Sequence, residues 1–370
     1  MFAMKQDKLF CSSTLGQVLP VSNRRSFHWL LVLAAMFSAG VGNLVLSEIA
    51  WGMTQSQGLG LSMERESNDP LKRAIAQQSN DAVVYYQRGF AYYEQQEYDK
   101  AIAEYTRAIE LDPKYVQAYN DRGVIYFNQQ KYDKAIADYT RAIELDPRFS
   151  KAYNNRGLIY FNQQEYDKAI TDYTRAIELD PSDAIAYSNR GYIYRLKQDY
   201  DNALNDLNRA IELNPNYANA HNNRGTVYAD INEYNTAIAN FDQAIKLNNK
   251  DHLSYYNRAN NYLALKEYDR AIADYNEAIR LNSNYANAYS NRGYYYFMQQ
   301  KYDQAIADFN QAIELNTNDG FAYYNRAEAN KAVGNTSRLR QDYQRAAELF
   351  QKQNNTYWYQ EALKRLKELR

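Results

Sequence analysis

At 370 residues, with 43 basic and 44 acidic side chains, the chain carries a formal net charge of −1. That balance excludes the basic surplus expected of a nucleic-acid binder. A single cysteine, Cys11, excludes a disulfide framework or a thiolate metal site within one chain, and His28, His221 and His252 are too scattered to pair as ligands.

The first fifty residues differ in kind from the rest. Lys5, Lys8, Arg24 and Arg25 outweigh Asp7 before Trp29, and an uncharged, largely apolar stretch then runs to Leu46. A basic start followed by such a run reads as a signal peptide or membrane anchor over residues 1–52. The stretch just suffices to span a bilayer; a buried helix of a soluble fold is the alternative. Small residues suited to cleavage stand at Ser38 and Gly40 and again at Ala50 and Gly52. Asn23-Arg24-Arg25-Ser26-Phe27 resembles a twin-arginine export motif, with His28 where a second apolar residue is usual. The basic flank predicts a chain exported across or anchored in the inner membrane, its remainder periplasmic rather than cytoplasmic. Contact with the membrane is expected only through residues 29–50. Residues 53–67, polar with two glycines, read as a linker.

A period then takes over. AIAEYTRAIELDP (Ala101 to Pro113) recurs with small changes at Ala135 to Pro147 and Ala169 to Pro181, a spacing of 34 both times. Self-similarity at this length signals a stacked repeat array. Eight units fill residues 82–353: 82–115, 116–149, 150–183, 184–217, 218–251, 252–285, 286–319 and 320–353. Within a unit, position 8 is glycine or alanine, position 20 is alanine in seven units, and position 27 is alanine in all eight. Large apolar residues at positions 4, 11, 21, 24 and 28 fall at helical spacing in two bursts, as Tyr119, Tyr126, Ile136, Tyr139 and Ile143 do in unit two. Small residues mark where two helices approach closely. Pro113, Pro147, Pro181 and Pro215 at position 32 stop the second helix. Aspartate at position 18, as in Asp133, favours the start of that helix. Each unit is thus a helical hairpin that cannot bury its apolar face alone, and stacking eight builds one core. The prediction is an all-α solenoid of antiparallel helix pairs. Residues 68–80 align with the second half of a preceding unit and read as an N-terminal capping helix, started by Asn68 or Asp69 with Pro70 in its first turn. Residues 356–370, with Tyr359, Leu363, Leu366 and Leu369 in one stripe, read as a C-terminal capping helix; a free amphipathic helix is the alternative.

The pattern of Tyr at 4, Gly or Ala at 8, Tyr at 11, Ala at 20, Tyr or Phe at 24, Ala at 27 and Pro at 32 resembles the tetratricopeptide repeat (TPR). The resemblance covers about three quarters of the chain and implies a right-handed superhelix. Units five to seven depart from it at position 32 (Asn249, Ser283, Thr317), and unit eight has Asn330 at position 11 and the loop VGNTS. Position 7, usually leucine in the family, is arginine in every unit, and position 23 is acidic in seven. Arginine facing a carboxylate on a neighbouring second helix satisfies both groups. Structural ion pairs are therefore expected among Arg122, Asp138, Arg156, Asp172, Arg190 and Asp206; a ladder for an acidic partner is the alternative.

By resemblance, positions 2, 5, 6, 9, 12 and 13 line the concave face. Position 6 is Asn155, Asn189, Asn223, Asn257, Asn291 and Asn325 in units three to eight, with Gln87 and Asp121 before them. An amide offers a donor and an acceptor to an extended peptide. The row resembles the asparagine ladder of the O-linked N-acetylglucosamine transferase superhelix, and solvent-facing amides are expected. The alternative is a bond to the neighbouring helix or to water. Phe127, Phe161, Tyr192 and Tyr294 are candidate peptide pockets or packing between first helices. The carboxylate clamp of co-chaperone members is not supported, since only Lys151 is basic at position 2 and no lysine stands at position 5.

No nucleophile with its partners, phosphate loop or metal site stands out, and His221 takes a core tyrosine's place at position 4. The expectation is no enzyme, no cofactor and no metal, but a protein-protein interaction scaffold holding a protein or extended peptide in the concave groove. The alternative is an accessory subunit of an envelope complex, docked through its convex face.

Overall fold

A computed structural model of the protein describes residues 81–369. The expected signal or anchor (1–52), linker (53–67) and N-terminal capping helix (68–80) lie outside the described residues. Those described form 17 α-helices and no strand.

Position 1 of the 34-residue frame opens a helix in every unit: Ala82–Glu94 (α1), Val116–Asn128 (α3), Ser150–Asn162 (α5), Ala184–Leu196 (α7), Ala218–Asp230 (α9), His252–Ala264 (α11), Ala286–Met298 (α13) and Gly320–Ala332 (α15). Its partner follows as Tyr98–Leu111 (α2), Tyr132–Leu145 (α4), Tyr166–Leu179 (α6), Tyr200–Leu213 (α8), Tyr234–Leu247 (α10), Tyr268–Leu281 (α12), Tyr302–Leu315 (α14) and Leu339–Lys352 (α16). Thr356–Glu368 (α17) packs on α16 and buries Trp358 and Ala362. The described residues divide after Pro215 into two bodies, the first holding α1 to α8 and the second α9 to α17. Within each body every second helix packs on the first helix of the next unit.

The turn inside a unit needs one residue in the left-handed region. Position 15 supplies it in units one to seven, from Gln96 (φ 61°) to Gln300 (φ 61°), and Gly334 (φ 78°) supplies it in unit eight. A side chain there costs about 1–2 kcal/mol relative to glycine, which the packing of each hairpin offsets.

Proline is not what ends the second helix. α10, α12 and α14 lack it and still stop at the same leucine as the others. The stop is position 31, whose side chain accepts from the N–H two residues on. Asp112 receives Lys114 N at 2.9 Å, Asp146 receives Arg148 N at 2.9 Å, and Asn316 receives Asn318 N at 3.0 Å. This Asx turn supplies a local alternative to the next helical bond.

The core lies between the helices of a hairpin. Position 20 and position 27 alanines are buried, and so are the rings at position 24: Tyr105, Tyr139, Tyr173, Phe241, Tyr275, Phe309 and Tyr343. Each ring leans on position 8. A Cβ added at Gly123 would meet the Tyr139 ring at 2.7 Å, and one at Gly157 would meet the Tyr173 ring at 3.2 Å. The tyrosines at positions 4 and 11, expected in the core by their spacing, are only half-buried in most units and flank the arginine row instead.

Candidate functional site

The position 7 arginines form a recurring motif in units two to four and six to eight. Arg122 Nε and Nη2 fork the two oxygens of Asp138 at 2.9 and 2.7 Å. Arg156 does the same to Asp172 (2.8 and 2.9 Å), and Arg190 to Asp206 (2.7 and 2.8 Å). Arg258–Asp274, Arg292–Asp308 and Arg326–Asp342 repeat the fork. The carboxylate comes from the second helix of the same unit. The remaining Nη1 reaches position 25 of the unit before: Arg122 to Thr106, Arg156 to Thr140 and Arg190 to Thr174, each at 3.0 Å. Rings at positions 4 and 11 stand over the guanidinium, Tyr153 and Tyr160 each at 5.8 Å from Arg156. Many of the 38 tyrosines are accounted for in this way.

Unit five breaks the motif twice. Asn240 replaces the carboxylate and accepts from Arg224 Nε at 2.8 Å, while its amide donates to Thr236 O at 2.8 Å. His221 replaces the first tyrosine and is buried. Burial accordingly lowers the Arg224 pKa, whereas bonding to Asp172 raises that of Arg156.

Three of the position 6 asparagines are withdrawn from solvent. Asn155, Asn291 and Asn325 are buried, and Asn189, Asn223 and Asn257 are half-buried. Asn155, Asn257 and Asn291 reach sideways, to position 5 of the preceding unit. Asn155 Nδ2 donates to Asn120 Oδ1 at 3.0 Å, Asn257 Nδ2 to Asn222 Oδ1 at 3.2 Å, and Asn291 Nδ2 to the Tyr256 hydroxyl at 3.1 Å. Asn291 Nδ2 also lies 3.0 Å from Asn260 Oδ1, which receives the Tyr275 hydroxyl. The first pair of units uses different chemistry at the same place, Tyr86 OH donating to Asp121 Oδ2 at 2.7 Å. The expectation of solvent-facing amides is thus corrected for Asn155, Asn291 and Asn325, which are buried, while Asn189, Asn223 and Asn257 keep partial exposure. Asn120, Asn222, Tyr256 and Asn260, at positions 5 and 9, belong to this row, and their bonds to position 6 were not read from the sequence. Polar residues recurring beside position 6, at position 5, were the available signal.

The candidate aromatics are in contact with other rings. Phe127 and Phe161 are buried; Phe161 meets Tyr192 edge-on at 5.7 Å, and Phe127 meets Tyr132 at 5.9 Å. Tyr192 and Tyr294 are half-buried. Among the described residues, no three His, Cys, Asp or Glu side chains are grouped to hold a metal ion. None of the described helices is long and apolar enough to cross a membrane.

Sequence models of the tetratricopeptide repeat match residues 116–149, 150–183, 218–251 and 286–319, and another matches 172–205. A TPR repeat model matches 91–130, 191–232 and 259–300. Together they span more than half of the chain. The chain belongs to the tetratricopeptide repeat family. Solved TPR-like structures agree in fold. A chain in the crystal structure of the APC/C hetero-tetramer Cut9–Hcn1 is 20% identical with a TM-score of 0.59, over 82% of this chain and 55% of that one. This chain therefore spans little more than half the length of that match. A tetratricopeptide repeat protein from Parabacteroides merdae is 22% identical with a TM-score of 0.53, over 69% of this chain and 98% of its own. The Pseudomonas aeruginosa pilF structure is 18% identical with a TM-score of 0.51, over 60% of this chain and 97% of its own. At such identities the likeness concerns the TPR fold alone. Comparison with curated proteins gives no match.

Proposed function

We propose that this TPR array is an interaction scaffold whose first helices hold a protein partner or an extended peptide. The observation that carries the reading is the recurrence, every 34 residues, of amide and aromatic side chains at equivalent first-helix positions. The contact residues in this reading are Asn189, Asn223, Tyr192 and Tyr294, with the edges of Phe127 and Phe161. Asn155, Asn257, Asn291 and Asn325 stand in the same row, the first three already spanning neighbouring units. The family and the periodic surface support a binding role rather than catalysis.

Cross-linking of the full-length protein in its native membrane fraction tests this. Tyr192→Ala with Tyr294→Ala should abolish capture of the main partner, and Lys134→Glu with Lys168→Glu, on exposed second-helix positions, should not. The reverse result transfers the contact to the convex face and makes the protein an accessory subunit of an envelope complex.

The N-terminal sequence supports placing the array on the periplasmic side, exported or held by residues 29–50. Protease added to spheroplasts should then digest the repeats before lysis; protection until lysis refutes that placement.

A further inference from the structure

We propose that Asp121, with the tyrosines of unit one around it, is a receptor for a lysine or arginine side chain of the bound partner. The proposal rests on the scaffold reading above and names the chemistry of one of its subsites.

Asp121 is the one carboxylate in the position 6 row, where the other units carry asparagine or glutamine. Its hydrogen-bond partners are neutral: Tyr86 OH donates to Oδ2 at 2.7 Å and Asn120 Nδ2 to Oδ1 at 2.9 Å. Among the described residues no lysine or arginine nitrogen lies within 4.0 Å of it. The carboxylates at position 23 are different, since Asp138, Asp172 and Asp206 are each forked by an arginine. A carboxylate drawn out of water without a counter-charge is unfavourable. Burial accordingly pushes its carboxyl above the usual carboxylate range, against the two hydrogen bonds and the field of Lys151.

The surroundings are aromatic. Tyr86 packs on Tyr115 at 4.9 Å and on Tyr105 at 5.5 Å, and Tyr93 packs on Tyr98 at 5.9 Å. Tyr86, Tyr93 and Asp121 keep partial exposure. Two anionic oxygens with tyrosine rings beside them suit an incoming cation, which supplies the missing charge and meets the electron-rich ring faces. Lys151, exposed on α5, adds a competing positive field without pairing to Asp121. Removing it should strengthen the preference.

The test is selection of random peptides displayed against the full-length protein, its Asp121→Asn variant and its Lys151→Ala variant. The expected result is enrichment of lysine or arginine at one fixed peptide position on the native protein. That enrichment should be lost on Asp121→Asn, with roughly tenfold or weaker binding of the selected peptide, and sharpened on Lys151→Ala. Binding of the selected peptide to the native protein should also be competed by n-butylammonium chloride and not by sodium butyrate at equal ionic strength. This second measurement holds whether or not the variants fold. Peptides enriched equally on native and Asp121→Asn protein, or competed equally by both salts, overturn the cation receptor and leave the scaffold reading standing. No enrichment of any peptide overturns the peptide-binding reading and this subsite with it.

Discussion

Asp172 receives both Nε and Nη2 of Arg156, sixteen residues before it, while Nη1 of the same arginine reaches Thr140 of the previous unit at 3.0 Å. One guanidinium thus closes a hairpin and ties it to its neighbour, with Tyr153 and Tyr160 over its faces. Only arginine supplies that fork together with a third donor direction.

Arg156→Ala should therefore destabilise the first body by removing both ties and leaving Asp172, buried, with no counter-charge. The loss should reach about 3 kcal/mol, the low end for a broken buried pair, because the arginine keeps partial exposure. Urea unfolding followed by circular dichroism measures it. An unchanged midpoint would mean that the pair contributes no net stability.

Unit five offers the converse experiment. Asn240→Asp should restore the fork to Arg224 and raise stability, despite losing the amide bond to Thr236 O. A charge-assisted fork in place of a neutral bond is worth about 1 kcal/mol net. The same substitution should return the Arg224 pKa toward its ordinary value, since burial now lowers it and the position 23 carboxylate of the other units is replaced by Asn240. A fall in the thermal midpoint would place the stabilising weight on the Thr236 contact.

The asparagine row makes a third prediction. Asn155→Ala should strand Asn120 Oδ1, and Asn291→Ala should remove a donor shared by Tyr256 OH and Asn260 Oδ1, all on buried residues. Asn155→Ala should cost about 1–3 kcal/mol, the range for leaving a buried polar group unsatisfied, and Asn291→Ala less, because Asn260 Oδ1 keeps the Tyr275 hydroxyl. Asn189→Ala, whose parent amide is half-buried, is the comparison and should cost less. Equal midpoints for all three would return the row to the solvent-facing role expected from the sequence.

How much of this was legible in the sequence follows from what a period encodes. Recurrence of small residues at the positions of Gly157, Ala169 and Ala176 places two close-packed helices, because small residues at fixed spacing have few other uses. Position 23 aspartate against position 7 arginine was legible as a charge match, though not which second helix supplies it. The partner of Asn155 was not legible, because Asn120 stands in another unit and the choice depends on how closely α3 and α5 approach. The chain stop was misassigned to Pro147 because proline is the louder signal. Asp146, beside it, makes the turn and is replaced by asparagine where proline disappears. Position 15 was silent, since glutamine carries no sequence mark of a positive φ.

The close crossing at position 8 is not equally tight everywhere. A Cβ at Gly123 meets the Tyr139 ring at 2.7 Å, and Tyr139 is fully buried, so the ring has nowhere to move. At Gly157 the nearest atoms are at 3.2 and 3.3 Å. Alanine gains about 0.5–1 kcal/mol in helix propensity over glycine, while overpacking costs about 1–3 kcal/mol. Gly123→Ala should be net destabilising, and Gly157→Ala closer to neutral. Gly157→Val adds two methyl groups beyond alanine and should destabilise. If the Gly123→Ala and Gly157→Ala proteins unfolded at the same denaturant concentration, the ring at position 24 would not be the limiting contact.

His252 gives the second body a stability that depends on pH. The imidazole is half-buried at the first position of α11, edge-on to Tyr285 at 5.1 Å, with its Nε2 3.1 Å from Asn282 Nδ2. An amide N–H donates to this nitrogen only while the ring is neutral there, and the positive end of the helix disfavours an imidazolium. Burial lowers the pKa from 6.5, and the neighbouring Asp251 opposes part of that fall. With the folded value below the unfolded one, the unfolded chain takes up the proton first as pH falls. The contribution is therefore fully present above about pH 6.5, and it is lost as pH falls through the folded value, at about 1.36 kcal/mol per unit of depression. His252→Gln removes the titration and keeps a side chain able to accept from Asn282. The difference in stability between the native protein and His252→Gln should shrink or reverse from pH 7.5 to pH 5.5, about the range in which histidine titrates and ordinary carboxylates do not. Denaturant midpoints for the two proteins that stay parallel across that window would show that His252 titrates alike in the folded and unfolded chain.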